Sequence, residues 1–229
     1  MSSALFALVI YAVMGVMGVL AAPIVLWRED WTRAWQKTWC RVVFALLRRA
    51  FGIRVTVEGS IPQGDVLIAA KHQSMLDVLI LYDALPYARF VMKRELMWMP
   101  IFGLYAKRTG AVPIDRRVRH GAAEELVAAF SEAKGQIVVY PQGTRVPPGE
   151  AAPYRRGIAR LVEATARPVV PVATNSGQFW KKGGKIVGPG RAVVRFGSPM
   201  PAELSRAEFM AELEREIEHE SQDLLSERF

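Results

Sequence analysis

Cysteine is almost missing: Cys40 stands alone in 229 residues. One thiol excludes an internal disulfide and a multi-thiolate zinc site, and it fits a reducing compartment. Histidine is scarce too, with only His72, His120 and His219. No zinc-finger spacing, no repeat of 20–50 residues and no low-complexity linker is present. Charged residues make up only 23% against 51% hydrophobic, which excludes an intrinsically disordered chain. The length suits one domain with at most an appendage. What charge there is leans positive, net +8. A chain both apolar and basic has two natural partners, an anionic membrane surface and nucleic acid.

The charge and the apolar residues have separate addresses. Residues 1–60 carry net +4, residues 61–200 net +10 and residues 201–229 net −6. From Ala4 to Trp27 there are 24 residues without a charge, and ~20 suffice to cross a bilayer core as a helix. Only Met-Ser-Ser precedes that run, so the positive n-region of a cleaved signal peptide is lacking. The cations follow it, at Arg28, Arg33, Lys37, Arg41, Arg48 and Arg49. The positive-inside rule then predicts a retained anchor in the cytoplasmic (inner) membrane, with the rest of the chain on its cytoplasmic face. Trp31, Trp35, Trp39, Val42 and Leu46 share one helical face among those cations, the pattern of an interfacial helix. The expected division is residues 1–51 as membrane anchor and interfacial helix, and residues 52–229 as a separate α/β domain. A spanning segment and a re-entrant hairpin both fit the N-terminus.

After residue 51, short β-type runs alternate with helical patterns. Strands are expected at 53–57, 66–70, 89–92, 137–140, 169–173 and 192–196. Helices are expected at 76–85, 119–134, 155–166 and 202–225, the last polar over most of its surface. Val66–Ala70 is a continuous apolar run, as in a strand buried on both faces. This alternation predicts an α/β fold: a mixed, largely parallel sheet flanked by helices, with an N-terminal membrane-associated helical segment.

Three clusters carry polar chemistry. His72 follows the buried strand directly, in Lys71-His72-Gln73-Ser74-Met75-Leu76-Asp77. Sites in α/β folds are built at such strand ends. Ser74 suits a helix N-cap. A turn between His72 and Asp77 would bring the carboxylate to the imidazole, orienting it and leaving its other nitrogen to take a proton. The same spacing also suits a capping Asp beside an unrelated His. The other clusters are Gly110 to Arg117, with Asp115 and Arg116, and Tyr140-Pro141-Gln142-Gly143-Thr144-Arg145. Each sets arginine, whose planar fork suits phosphate, in a loop after an apolar run. Gly143 permits close backbone approach.

Taken in order, His72-x4-Asp77, Gly110 to Arg116, Pro141-Gln142-Gly143-Thr144-Arg145 and Val170-Pro171-Val172-Ala173 resemble the four blocks of the glycerophospholipid acyltransferase family. Lys93-x-Glu95-Leu96, Tyr154-Arg155-Arg156-Gly157 and the stretch from Pro189 to Pro199 resemble its intervening and closing segments. The resemblance covers roughly residues 55–200. In one place the chain departs from it: the third block usually begins with Glu, and here it begins with Gln142. Glutamine keeps an acceptor, adds donors and loses the charge.

The resemblance implies acyl transfer from acyl-CoA or acyl-carrier protein, as co-substrate, to the sn-2 hydroxyl of lysophosphatidic acid, giving phosphatidic acid. It implies His72 as general base with Asp77 orienting it, and Arg116, Gln142, Gly143, Thr144 and Arg145 around the acceptor. It implies no metal, no cofactor and no covalent acyl-enzyme. Partners would be membrane lipids, a lysophospholipid acceptor and the acyl donor. The rivals are an enzyme of the same family with another acceptor, such as a lyso-ornithine lipid, and a non-catalytic basic membrane-binding protein. Nucleic-acid binding rests on charge alone, and no recognition motif supports it.

Overall fold

The structure is a computed structural model that describes residues 1–25, 27–114, 127–128, 130–201 and 203–227. Seven strands form one sheet in the order β1-β7-β6-β2-β5-β3-β4. They are β1 (Ile53–Glu58), β2 (Val66–Ala70), β3 (Arg89–Lys93), β4 (Val112–Ile114), β5 (Gln136–Val139), β6 (Val169–Thr174) and β7 (Gly190–Phe196). The run β6-β2-β5-β3-β4 is parallel throughout. β7 pairs antiparallel with β6 and parallel with β1, so these two strands run the other way. The expected mixed, largely parallel sheet is the sheet observed.

All five residues of β2 and all six of β6 are buried, because helices cover both faces. Alternate residues feed two cores. Val66, Ile68 and Ala70 face α2 (Glu29–Phe51) and α3 (Met75–Ala84), among Val43, Leu47, Leu76 and Ile80. Leu67 and Ala69 face α5 (Gly157–Thr165) and α6 (Arg206–Ser226), among Ile158, Leu161, Phe209, Leu213 and Ile217. A short helix, α4 (Phe102–Arg108), precedes β4. It and β4 were not expected from periodicity: seven and three residues are too few to show a period. Most of the helix expected at 119–134 lies outside the described residues, though Phe130 is fully buried in the second core.

The N-terminal run forms α1 (Ser3–Val25), and residues 3–23 are long and apolar enough to cross a membrane by length and composition. The helix nevertheless touches the body repeatedly along its length. Ser3 Oγ accepts from Ile186 N at 2.9 Å, and Phe6 is fully buried edge-on against Phe51 and Trp180. Tyr105 donates to Gly18 O at 2.9 Å, and Ala21 is buried. Leu8, Tyr11, Val16, Val19 and Leu20 remain more than half exposed on the other side. On α2, Trp35 and Trp39 give their indole N–H groups to Met17 O and Ile10 O of α1, at 3.0 and 3.4 Å. The tryptophan face read as interfacial is therefore mainly the contact between the two helices, with Trp31 left 54% exposed. Arg33, only 4% exposed, fixes α2 to the body by donating to Ala88 O and Thr109 O.

Candidate active site

β2, β5 and β6 are parallel neighbours, so their C-terminal ends open on one edge of the sheet. Three polar segments leave that edge: Lys71-His72-Gln73-Ser74 after β2, Tyr140 to Arg145 after β5, and Asn175-Ser176 after β6. This is where open α/β sheets bind ligands.

The helix start at Ser74 arranges the first group. Ser74 is the N-cap of α3 and accepts from Leu76 N at 2.9 Å. Asp77, one turn in, returns its Oδ2 to the backbone N–H groups of Gln73 (2.9 Å) and Ser74 (2.6 Å), closing a capping box. The other oxygen, Oδ1, lies 2.8 Å from His72 Nδ1. The capping Asp and the partner of His72 are thus one side chain, and the cap is what aims the carboxylate. Asp77 is fully buried, which would be costly for a carboxylate without donors. It has five. Besides those three, the Ser176 hydroxyl donates to Oδ2 at 3.1 Å and the Tyr140 hydroxyl to Oδ1 at 3.2 Å. The His72 side chain is 15% exposed. Its ring stacks on Tyr140, with centroids 4.0 Å apart and planes 20° apart. With Nδ1 turned to Asp77, Nε2 is the nitrogen left for a reacting group.

The loop after β5 folds back over His72. Val146 N donates to His72 O at 2.8 Å, Gly143 N to Tyr140 O at 2.9 Å and Arg155 N to Pro141 O at 2.9 Å. Gly143 has φ +69°, and a Cβ there would lie 2.5 Å from Arg155 Nε. The turn therefore requires glycine, and Arg155 packs across it. Thr144 is exposed and Arg145 half-buried. Gln142 is 4% exposed and donates Nε2 to Ala152 O (3.4 Å) and Glu218 Oε1 (3.2 Å). Arg116 lies outside the described residues, as does His120, while β4, which leads toward Arg116, is parallel to β3. His219 is exposed and faces Asp223 at 3.4 Å.

Several residues at this edge were missed in the sequence. Tyr140 stood next to the motif but was given no role. Ser176 carries the signal that singled out His72, a polar residue just beyond a buried strand. Arg155 sat in a recognised segment without a function. Glu218 gave no signal at all among the acidic residues of the last helix. Cys40 is buried on α2, and burial pushes its thiol up to about 12.

A buried carboxylate orienting a histidine at the mouth of a parallel sheet is an arrangement able to take a proton from a reacting group. Residues 52–175 match the family model described as acyltransferase, and the chain belongs to that family. A 1-acyl-sn-glycerol-3-phosphate acyltransferase of Pseudomonas aeruginosa is 34% identical over 211 residues, 90% of this chain and 82% of that protein. The 1-acyl-sn-glycerol-3-phosphate acyltransferase alpha of Ovis aries is 30% identical over 188 residues, 78% of this chain and 65% of that protein. The crystal structure of the 1-acyl-sn-glycerophosphate acyltransferase of Thermotoga maritima has the same fold. The TM-score is 0.82 with 23% identity, over 99% of this chain and 98% of that one.

Proposed function

We propose that this chain transfers a fatty acyl group from a thioester donor, acyl-CoA or acyl-carrier protein, to the sn-2 hydroxyl of lysophosphatidic acid, forming phosphatidic acid. The observation that carries the reading is the His72–Asp77 pair, with a fully buried carboxylate 2.8 Å from Nδ1. An alcohol is a weak nucleophile at neutral pH. His72 Nε2 takes its proton as the oxygen bonds to the thioester carbonyl carbon. The tetrahedral intermediate expels the thiolate, and His72 returns the proton to it. Asp77 stabilises the imidazolium between these steps. Direct transfer of this kind needs neither a metal nor an acyl-enzyme.

Arg145, with Arg116, supplies charge for the acceptor phosphate, while Gly143 and Thr144 let it approach the backbone. We further read α1 as lying in one leaflet of the cytoplasmic membrane, with the catalytic domain on the cytoplasmic face. Its contacts with the body at Ser3, Phe6, Gly18 and Ala21 support this over a free span. Its outward apolar side and exposed Trp27, Trp31 and Trp98 suit the acyl and headgroup layers.

The test is turnover by the purified full chain with oleoyl-CoA and 1-oleoyl-lysophosphatidic acid, read as phosphatidic acid by mass spectrometry. Adding an acyl-carrier protein donor and lyso-ornithine lipid to the panel assigns both substrates. Absence of product with every pair would sink the reading in favour of a non-catalytic membrane-binding protein.

A further inference from the structure

Glu218 brings the C-terminal helix to the active-site edge. Glu218 of α6 accepts from Lys71 Nζ with both oxygens, at 2.7 and 2.6 Å. It also accepts from the Tyr154 hydroxyl at 2.8 Å and from Gln142 Nε2 at 3.2 Å. Three side chains distant from it in sequence, Lys71, Gln142 and Tyr154, converge on this carboxylate. Two belong to the site already described: Lys71 precedes His72, and Gln142 opens the Gly143–Arg145 turn. Lys71 is 2% exposed, and its Nζ makes one further bond, to Glu150 O at 3.4 Å. Burial and the adjoining Glu218 carboxylate push the Tyr154 phenol upward, which keeps it a donor.

The amide of Gln142 shows how tightly this is set. With Nε2 turned to Glu218, its Oε1 is buried and has no partner among the described residues. A flipped amide would press that oxygen against the Glu218 carboxylate, so the unpaired acceptor is the lesser cost. A glutamate at 142 would put two carboxylates about as close as 3.2 Å, where like charges strongly oppose joint ionisation. The pair therefore has room for one negative charge, which balances Lys71.

We propose that Glu218 is a positioning residue for the acyl transfer. It carries the single negative charge of this cluster and thereby holds both Gln142, at the head of the acceptor loop, and Lys71, beside the general base. This explains why position 142 tolerates an uncharged side chain. It also makes α6, which lies beyond the matched segment 52–175, part of the active site. The inference rests on the acyl-transfer reading for its catalytic consequence, but the charge pairing can be measured without it.

The experiment is a four-protein cycle on the full chain: wild type, Gln142→Glu, Glu218→Gln and the exchanged double variant. Each is assayed with oleoyl-CoA and 1-oleoyl-lysophosphatidic acid and melted by tryptophan fluorescence. Each single variant is expected to lose tenfold or more in kcat/KM, chiefly as a raised KM for lysophosphatidic acid. The double variant is expected to recover to within about threefold of wild type, and to melt closer to wild type than either single. Losses that simply multiply in the double variant would overturn the pairing. Singles that melt lower with an unchanged KM would leave Glu218 a scaffold residue and overturn its positioning role. A wild type without turnover would refute the proposed activity, while the melting cycle would still decide the charge pairing.

Discussion

Tyr140 lies flat against the His72 ring, 4.0 Å between centroids, and donates to the same Asp77 oxygen that faces His72 Nδ1. Burial, then the neighbouring Asp77 carboxylate, pushes the Tyr140 phenol well above its ordinary range, with the Arg145 charge opposing. It therefore stays a neutral donor at working pH. One side chain sets both the plane of the imidazole and one bond to its carboxylate. Tyr140→Phe keeps the ring and removes the donor. A hydrogen bond to a buried group contributes about 1 kcal/mol, so kcat is expected to fall roughly five- to tenfold with KM for the acceptor unchanged. Steady-state kinetics checks this, and a wild-type kcat would show the hydroxyl to be idle.

Removing His72 itself should cost far more. General-base catalysis contributes about 10²–10⁴-fold, and His72→Ala is expected to lose that much kcat while still folding, since the ring is partly exposed. Asp77→Asn is expected to lose comparable activity and stability as well. Whichever way an amide is turned, its NH2 faces groups that now donate: Gln73 N, Ser74 N and Ser176 on one side, Tyr140 and His72 on the other. It also weakens the cap of α3, worth about 1 kcal/mol. Thermal unfolding of both variants separates the effects: Asp77→Asn should melt clearly below His72→Ala.

The acceptor loop offers a backbone test. Gly143 sits at φ +69° with Arg155 directly over it. Gly143→Ala forces a side chain into a conformation costing about 1–2 kcal/mol and displaces the Arg155 guanidinium. The loop, not the general base, should suffer. KM for lysophosphatidic acid is expected to rise several-fold while kcat at saturation changes little. Kinetics varied in acceptor concentration would show it, and an unchanged KM would argue that the turn does not line the acceptor site.

These residues differ in how far the sequence alone disclosed them, and the difference is physical. His72 and Asp77 were visible because one short turn holds both, and the apolar run of β2 announces the strand end. Asp77 remained ambiguous between cap and partner because spacing cannot show that one carboxylate has two oxygens to serve both roles. Strands buried on both faces were legible as continuous apolar runs, whereas β4 and α4 were too short for a period. Trp35 and Trp39 had the right spacing and the wrong assigned neighbour, because periodicity gives a face and not what covers it. Glu218 was invisible for the same reason: its neighbours Lys71 and Gln142 are 147 and 76 residues away in the chain.

Cys40 separates direct transfer from an acyl-thiol route. Its side chain is 2% exposed, and burial raises its thiol from 9.0 to about 12. At neutral pH it is neither ionised nor accessible, so Cys40→Ala should retain acyl transfer, and loss of activity in a folded variant would defeat the direct mechanism. The same residue predicts a pH effect on stability. Above pH 9.0 the unfolded chain releases the thiol proton while the folded chain keeps it until about pH 12. Unfolding then releases a proton, and rising pH favours it. The stabilisation is complete below the unfolded value and is lost across that window, by up to about 1.4 kcal/mol per pH unit. Wild type should therefore lose melting temperature more steeply than Cys40→Ala between roughly pH 9 and pH 11, with the two curves parallel below that range. Equal slopes in a pH series of melts would mean that the thiol is less buried than its place in the first core requires.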